Sequence, residues 1–184
     1  MSTNVTISPS PKHESTANHD AIPQIRISKV KPDLLDAKNS MPVGIPYRSL
    51  RRATAIVYCE GNFGSIDGKT ANGLVRHSEK YEILSVIDSV KAGRDAGEIL
   101  DDIPNGIPVR MHLEEAIAGA NRMPDFLIFG MAPSTGMLSP AERLIMLEAM
   151  RRGMGLVNGL HEFLNDDSEF AAASELHGVT ILDV

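Results

Sequence analysis

The chain has 184 residues, of which 42% are hydrophobic and only 4% aromatic, with no Trp, a single Cys and a net charge of −6. That length fits one ordinary domain with an appendage, around an aliphatic, Met-rich core. Lone Cys59 excludes an internal disulfide and suits a reducing, cytoplasmic setting. No apolar run approaches the ~18 residues of a membrane span, and the opening residues lack the basic-then-apolar pattern of a secretory signal. Residues 1–52 hold eight Lys/Arg against four Asp/Glu, and residues 53–184 hold ten against twenty. An acidic body is poorly suited to tracking a phosphate backbone, so nucleic acid is not an expected partner, and without a spanning run neither is a membrane.

Residues 1–45 are rich in Ser, Thr, Asn, Pro and Lys, and the composition predicts a disordered or extended N-terminal arm. Within it, "IPQIRISKV" (22–30) alternates as an edge strand would, but between prolines. "SMPVGIPYRSLRR" (40–52) reads as an extended lead-in with two X-Pro steps. From residue 46 onward the pattern predicts one domain, 46–184. Short apolar runs at 53–59, 82–87, 107–111, 125–129, 155–158 and 179–182 predict strands. Helices are predicted between them at 69–78, 95–101, 113–120, 140–152 and 168–177. The 140–152 helix carries the clearest punctuation: Ser139 as N-cap, Pro140 in the first turn, Glu142 completing a capping box, and Gly153 closing it. Leu144, Ile145, Leu147 and Met150 form its expected apolar stripe. Apolar strands alternating with helices imply an α/β fold: a doubly wound, mostly parallel, Rossmann-like sheet of about six strands.

The loop after the first strand, "CEGNFGSIDGKT" (59–70), contains Gly68-Lys69-Thr70. A phosphate-binding P-loop needs G-x-x-x-x-G-K-[ST], so its first glycine belongs at 63, where Phe63 stands. Gly61 and Gly64 also miss the G-x-G-x-x-G spacing of a dinucleotide loop. What remains is a glycine turn leading into a helix N-terminus, where free N–H groups and the dipole favour an anion. Glu60, Gly61, Asn62, Gly64, Gly68, Lys69 and Thr70 are therefore candidate ligand-facing residues. The alternative is a plain turn with Lys69 in water.

Asp88 ends the second strand, where Rossmann enzymes place a ribose-binding carboxylate; an Asx turn is the competing reading. Arg94 has the fork geometry to hold a carboxylate or phosphate. Cys59 reads as a small core residue, since no His lies near it in sequence. Among the six His there is no H-x-x-x-H and no Cys/His ligand set, so no metal site is expected. Ser134 follows the fourth strand without the glycines of a nucleophile elbow and suits a cap or a ligand hydrogen bond. Asn158 and Gly159 follow the fifth strand, and His161 could serve there as acid, base or ligand, or as a backbone-bonded structural residue.

Four segments together carry a resemblance: "EGNFGSIDGKTANGL" (60–74), "VID" with "AGRDAGEIL" (86–100), "GLHEFLND" (159–166) and "GVTILDV" (178–184). The chain resembles the N-terminal Rossmann-like domain of a family of unknown function that includes the D-glutamate N-acetyltransferases. Lys69-Thr70-Ala71 with Gly73, and Gly159-Leu160-His161, are the positions that match most closely. On that likeness Gly-Lys-Thr is the family's K-T-A-x-G helix start rather than a P-loop. The resemblance implies binding of a small anionic molecule, with acetyl-CoA or a nucleotide as the open cofactor choices and His161 as candidate general base. It also implies a P-loop-type partner domain after Val184, without which no activity is expected. "GMAPSTGML" (130–138) departs from the family's Asn or Gly-Gly pattern and leaves the substrate open. Two alternatives stand beside this: a stand-alone nucleotide- or CoA-binding module without catalysis, and a truncated domain that serves assembly with a missing partner domain; a homo-oligomer is a further possible partner.

Overall fold

The computed structural model describes residues 51–184; the arm, the 22–30 strand and all but the last two residues of the 40–52 lead-in lie outside them. Among the described residues six strands and five α-helices alternate. They are β1 (Ala53–Tyr58), α1 (Lys69–His77), β2 (Tyr81–Ile87), α2 (Ala96–Asp101), β3 (Val109–Arg110), α3 (Leu113–Ala118), β4 (Phe126–Phe129), α4 (Pro140–Arg151), β5 (Gly155–Asn158), α5 (Ser168–His177) and β6 (Ile181–Asp183).

All six strands are parallel, in the order β3-β2-β1-β4-β5-β6. This is the doubly wound Rossmann order, with its switch point between β1 and β4. Tyr58 at the end of β1 pairs in register with Ile87 on one side and Phe129 on the other. Right-handed crossovers put α1 and α2 on one face of the sheet and α3, α4 and α5 on the other. Arg152–Glu114 and the Arg143–Glu169 pair lace the second helix layer together.

Ile56, Leu127, Phe129, Met146, Met150, Leu156 and Phe170 are fully buried. Burying a side chain of this class contributes roughly 1.5–3 kcal/mol. Four of the scarce aromatics are paired: Tyr58 stacks on Phe129, and Tyr81 meets Phe126 edge-on, each at 5.9 Å between centroids.

The element boundaries depart from the sequence reading where local chemistry intervenes. β3 shrinks from 107–111 to 109–110 because Pro108, which cannot donate to a ladder, stands at its entry. β6 starts at 181 rather than 179. Val179 is taken up by the end of α5, its N–H donating to the Ser174 carbonyl while its own carbonyl accepts from the Ser174 hydroxyl. The capping box of α4 is present as expected, Ser139 accepting from the Glu142 N–H and Glu142 accepting from the Ser139 N–H. Its apolar stripe is corrected. Met146, Ala149 and Met150 make the fully buried face, flanked by half-buried Ile145 and Leu147, whereas Leu144 is 69% exposed.

Gly130, just past β4, decides how closely α1 can dock. A Cβ there would lie 2.6 Å from Val57 Cγ1 and 2.8 Å from the Ala71 Cβ of α1. The Gly130 carbonyl accepts from the Ala71 N–H at 3.0 Å, so β4 itself caps one of the helix's free donors. We predict that Gly130→Ala costs about 1–3 kcal/mol in urea unfolding. A loss below about 0.5 kcal/mol, the scale of a neutral surface change, would show that α1 can withdraw without penalty.

Candidate functional site

Because every strand points the same way, the residues singled out from sequence emerge at one edge of the sheet, on the loops after β1, β2, β4 and β5. They do not all share one pocket. The loop after β1 folds on itself: the Asn62 amide donates to the Glu60 carbonyl, and Asn72 of α1 accepts from the Gly64 N–H and donates to the Ser65 carbonyl. Gly61 and Gly64 take turn positions with φ of 67° and 80°. Gly68 has no room for a side chain, since a Cβ would sit 2.2 Å from the Asn62 carbonyl oxygen.

Phe63, at the position of a P-loop's first glycine, is fully buried, and its N–H donates to the Asp88 carboxylate at 3.0 Å. Asp88 is itself fully buried and also accepts from the Val90 and Lys91 N–H groups and, at 3.3 Å, from the Lys91 ammonium. Of the two readings open for Asp88, its geometry is that of the turn cap. The Asp88 carboxylate thereby ties the loop after β1, through the Phe63 N–H, to the turn after β2 that it caps. Glu60 is tied in the same way to the N–H and hydroxyl of Ser89. Arg94 is exposed in the β2–β3 connection, held by its backbone to Lys91 and Val109.

Around β5 a second carboxylate does similar work. Asn158 is fully buried; its amide donates to Asp183 and to the Glu162 carbonyl, and its oxygen accepts from the Leu160 N–H. Asp183 accepts in addition from the N–H groups of Leu164 and Asn165 and from the Asn165 amide. Burial pushes the Asp183 carboxyl up, but these donors more than reverse it and hold it below the ordinary value of 3.8.

His161 is exposed and packs against Gly136 of the β4 loop, 2.9 Å from where a Cβ would stand, while Ser134 is exposed on the same loop. Glu162 joins the two loops by accepting from the Leu138 N–H and from Arg143. Arg143, which the sequence reading passed over, gathers Glu162, Asp167 and Glu169 and lies over the Phe170 ring. Its guanidinium is held above its ordinary pKa, first by Asp167 and then by Glu169. Its only trace in the sequence is one Arg among the apolar residues of α4.

What the loops leave open is a groove of about 430 Å³ beside α1, whose lining includes Lys69 and Thr70, Met131 and Ala132, and Gly159 at the carboxyl edge. Leu74, Tyr81, Ile128, Val157 and Val184 make it mostly apolar, and Lys80 adds a second ammonium. At the α1 N-terminus Lys69 N–H donates to Ile66 and Ala71 N–H to Gly130; Thr70 N–H has no partner among the described residues. Lys69, Thr70 and Gly159 are thus brought together. Asp88 and Asn158 lie beneath as supports, and His161 stands outside the groove's lining.

Cys59 is fully buried with its thiol pushed up to about 12, chiefly by burial, so it is no nucleophile. Among the described residues no three His, Cys, Asp or Glu side chains come together as a metal site, and no helix is long and apolar enough to cross a membrane.

Residues 89–184 match the family model described as "Domain of unknown function (DUF1611_N) Rossmann-like domain". The chain belongs to this family. The matched span runs from the end of β2 through β6, so the Lys69-Thr70-Ala71 motif lies before it. A curated relative, the D-glutamate N-acetyltransferase of Tritonibacter scottomollicae, is 35% identical over 74 residues, which is 40% of this chain and 21% of that protein. The crystal structure of a DUF1611 family protein from Anabaena variabilis ATCC 29413 superposes with a TM-score of 0.64 at 30% identity, over 72% of this chain and 37% of that one. The chain therefore spans about a fifth of the curated relative and little more than a third of the solved one.

A prediction follows from the Asp183 carboxylate. Asp183→Asn should cost about 1–3 kcal/mol at neutral pH by replacing one acceptor oxygen with an amide donor that faces groups which are themselves donors. Because the folded pKa is depressed, the stabilisation is complete above the ordinary value of 3.8 and is lost as the pH falls through the lower folded value. Urea unfolding at stepped pH should show wild type and variant converging in acid; a gap that stays constant would show that the charge is not what carries the contact.

Proposed function

We propose that this DUF1611_N domain is the Rossmann-like part of a D-glutamate N-acetyltransferase-like protein, and that its carboxyl-edge groove binds part of an anionic small molecule. The observation that carries this reading is the groove itself. It sets the Lys69 ammonium and the α1 N-terminus at the edge of an apolar channel, beside Gly159. An anionic group would meet the Lys69 charge and the Thr70 N–H, and an apolar stem would cover Ile128 and Val157. Acyl-CoA, a nucleotide and an amino-acid carboxylate all have the anionic part. The name of the Tritonibacter relative favours D-glutamate and an acetyl donor.

The domain acts in this reading with a second, P-loop-type domain and is inactive alone. Supporting this, no strong general base lines the groove, and on the α1 side of the sheet β4, β5 and β6 carry no helix among the described residues. That open face is where a further domain would pack and close the site. Acyl transfer to an amine needs a base to take the ammonium proton, and His161, at the same edge, becomes that base only if closure brings the substrate to it.

The test is a thermal-shift and titration panel with acetyl-CoA, CoA, ATP, NAD and D-glutamate. At least one anionic compound should raise the melting temperature of the wild-type chain, since a ligand that binds only the native state stabilises it. Lys69→Ala should weaken that compound by about 1 kcal/mol, roughly fivefold in Kd, with circular dichroism unchanged. Equal affinity in a folded Lys69→Ala variant would overturn the assignment of the groove. The isolated chain should transfer no acetyl group from acetyl-CoA to D-glutamate, and measurable turnover would overturn the requirement for a partner domain.

A further inference from the structure

The sequence contains three Asn-Gly pairs: Asn72-Gly73, Asn105-Gly106 and Asn158-Gly159. Such a pair is open to attack by the glycine nitrogen on the asparagine side-chain carbonyl, because glycine has no Cβ to block the approach. The fold treats the three differently. Asn72 is half-buried in α1, its oxygen accepting from the Gly64 N–H and its amide donating to the Ser65 carbonyl. Asn158 is fully buried and is held by three such bonds, to Glu162, Asp183 and Leu160. Neither carboxamide can turn toward its glycine without breaking these bonds.

Asn105 and Gly106 are both exposed, in the loop between α2 and β3. The Asn105 carboxamide carbon is held against α2, 2.8 Å from where a Cβ of Gly97 would stand. Its Oδ1 accepts from the Ile107 N–H at 3.0 Å, and its Nδ2 has no partner among the described residues. Gly106 turns the chain with φ of 79°, and its N–H points at the Asp95 carboxylate at 2.8 Å. The parts of an intramolecular acyl substitution are thus assembled. A carboxylate stands ready for the proton of the attacking nitrogen, a donor already faces the carbonyl oxygen where negative charge develops, and the amide that must leave is open to water.

We propose that Asn105 is a site of self-catalysed deamidation, which makes this loop more acidic as the protein ages. The Gly106 nitrogen attacks the Asn105 Cγ and gives its proton to Asp95. A new N–Cγ bond forms, the Cγ–Nδ2 bond breaks, and the amide takes up that proton and leaves as ammonia. Water then opens the five-membered imide at either carbonyl, leaving aspartate or isoaspartate at position 105. The change acts on α2 through Asp95, its N-cap, which accepts from the N–H groups of Gly97 and Glu98 and from those of Asn105 and Gly106. Isoaspartate adds a methylene to the main chain between the last two donors, so that they no longer meet one carboxylate. Aspartate sets a second negative charge beside Asp95. Either product loosens the tie between the loop and α2. Neither Asn105 nor Gly106 lines the groove beside α1, so the proposal is independent of the groove's function.

Peptide mapping by mass spectrometry tests this on the whole chain, incubated at neutral pH beside a synthetic peptide of residues 101–109. The fragment holding Asn105 should shift to the mass of the acid at least as fast as the peptide does, and should become a substrate for an isoaspartyl methyltransferase. Fragments holding Asn72 and Asn158 should convert roughly tenfold more slowly or less, since two or more hydrogen bonds must break first. Asn105→Gln, which would have to close a six-membered ring, should abolish the shift with circular dichroism unchanged. Asn105→Asp, which installs one product outright, should melt about 2–4 °C below the wild type. A folded chain that converts at 105 more slowly than the peptide overturns the proposal, because the loop would then protect the residue. Conversion at 72 or 158 that keeps pace with 105 overturns the selection by the fold. Equal melting of Asn105→Asp and wild type overturns the effect on α2.

Discussion

The seating of α1 against the end of β4 is the contact on which the carboxyl edge depends. Gly130 lets the Ala71 Cβ and the Val57 side chain close over bare backbone, and its carbonyl takes the Ala71 N–H. That one approach sits at the topological switch point, where the chain's two directions of winding part and loops diverge to leave a crevice. With α1 fixed there, the Ala132 N–H reaches the Asp67 carbonyl at 2.9 Å and the loops after β1 and β4 become one surface. Lys69 and Thr70 are then carried to the rim of the groove by the helix that bears them.

The edge is stiffened by carboxylates that serve the protein's own backbone. Asp88 holds Phe63, Val90 and Lys91; Glu60 holds Ser89; Glu162 holds Leu138; Asp183 holds Leu164 and Asn165. Each joins a loop to a neighbouring strand end or to the next loop. Charge-assisted bonds of this kind are stronger than neutral ones, and being internal they need no ligand to form. The acidic body of the chain is thereby partly accounted for. Many of its carboxylates are structural ties, and the cations left facing the groove are Lys69 and Lys80.

The helix layers are unequal in a way that follows from the winding. Among the described residues three helices cover one face of the sheet and two cover part of the other, and the groove lies on the two-helix face, beside α1. On the opposite side no element among the described residues covers α4 and α5, where Leu144 and Leu176 are exposed. An apolar surface left over after a domain has folded is surface available for association.

How far the sequence reaches is clearest element by element. It determined the alternation of short aliphatic strands and helices, the extent of α5 at 168–177 and the capping box of α4, because periodicity and caps are local properties of the chain. It also excluded a P-loop, since the spacing of Gly61, Gly64 and Gly68 is a covalent fact. It could not say which face of α4 would be buried: Leu144 and Met146 are both apolar, and only the position of the sheet turns Met146 inward. Nor could it separate Asp88, enclosed by N–H donors from two loops, from Lys69 at the rim of a groove. Which polar residues bind their own fold and which face outward depends on contacts between segments about 20 to 70 residues apart, such as Phe63 with Asp88 and Ala71 with Gly130, and those exist only once the sheet has assembled.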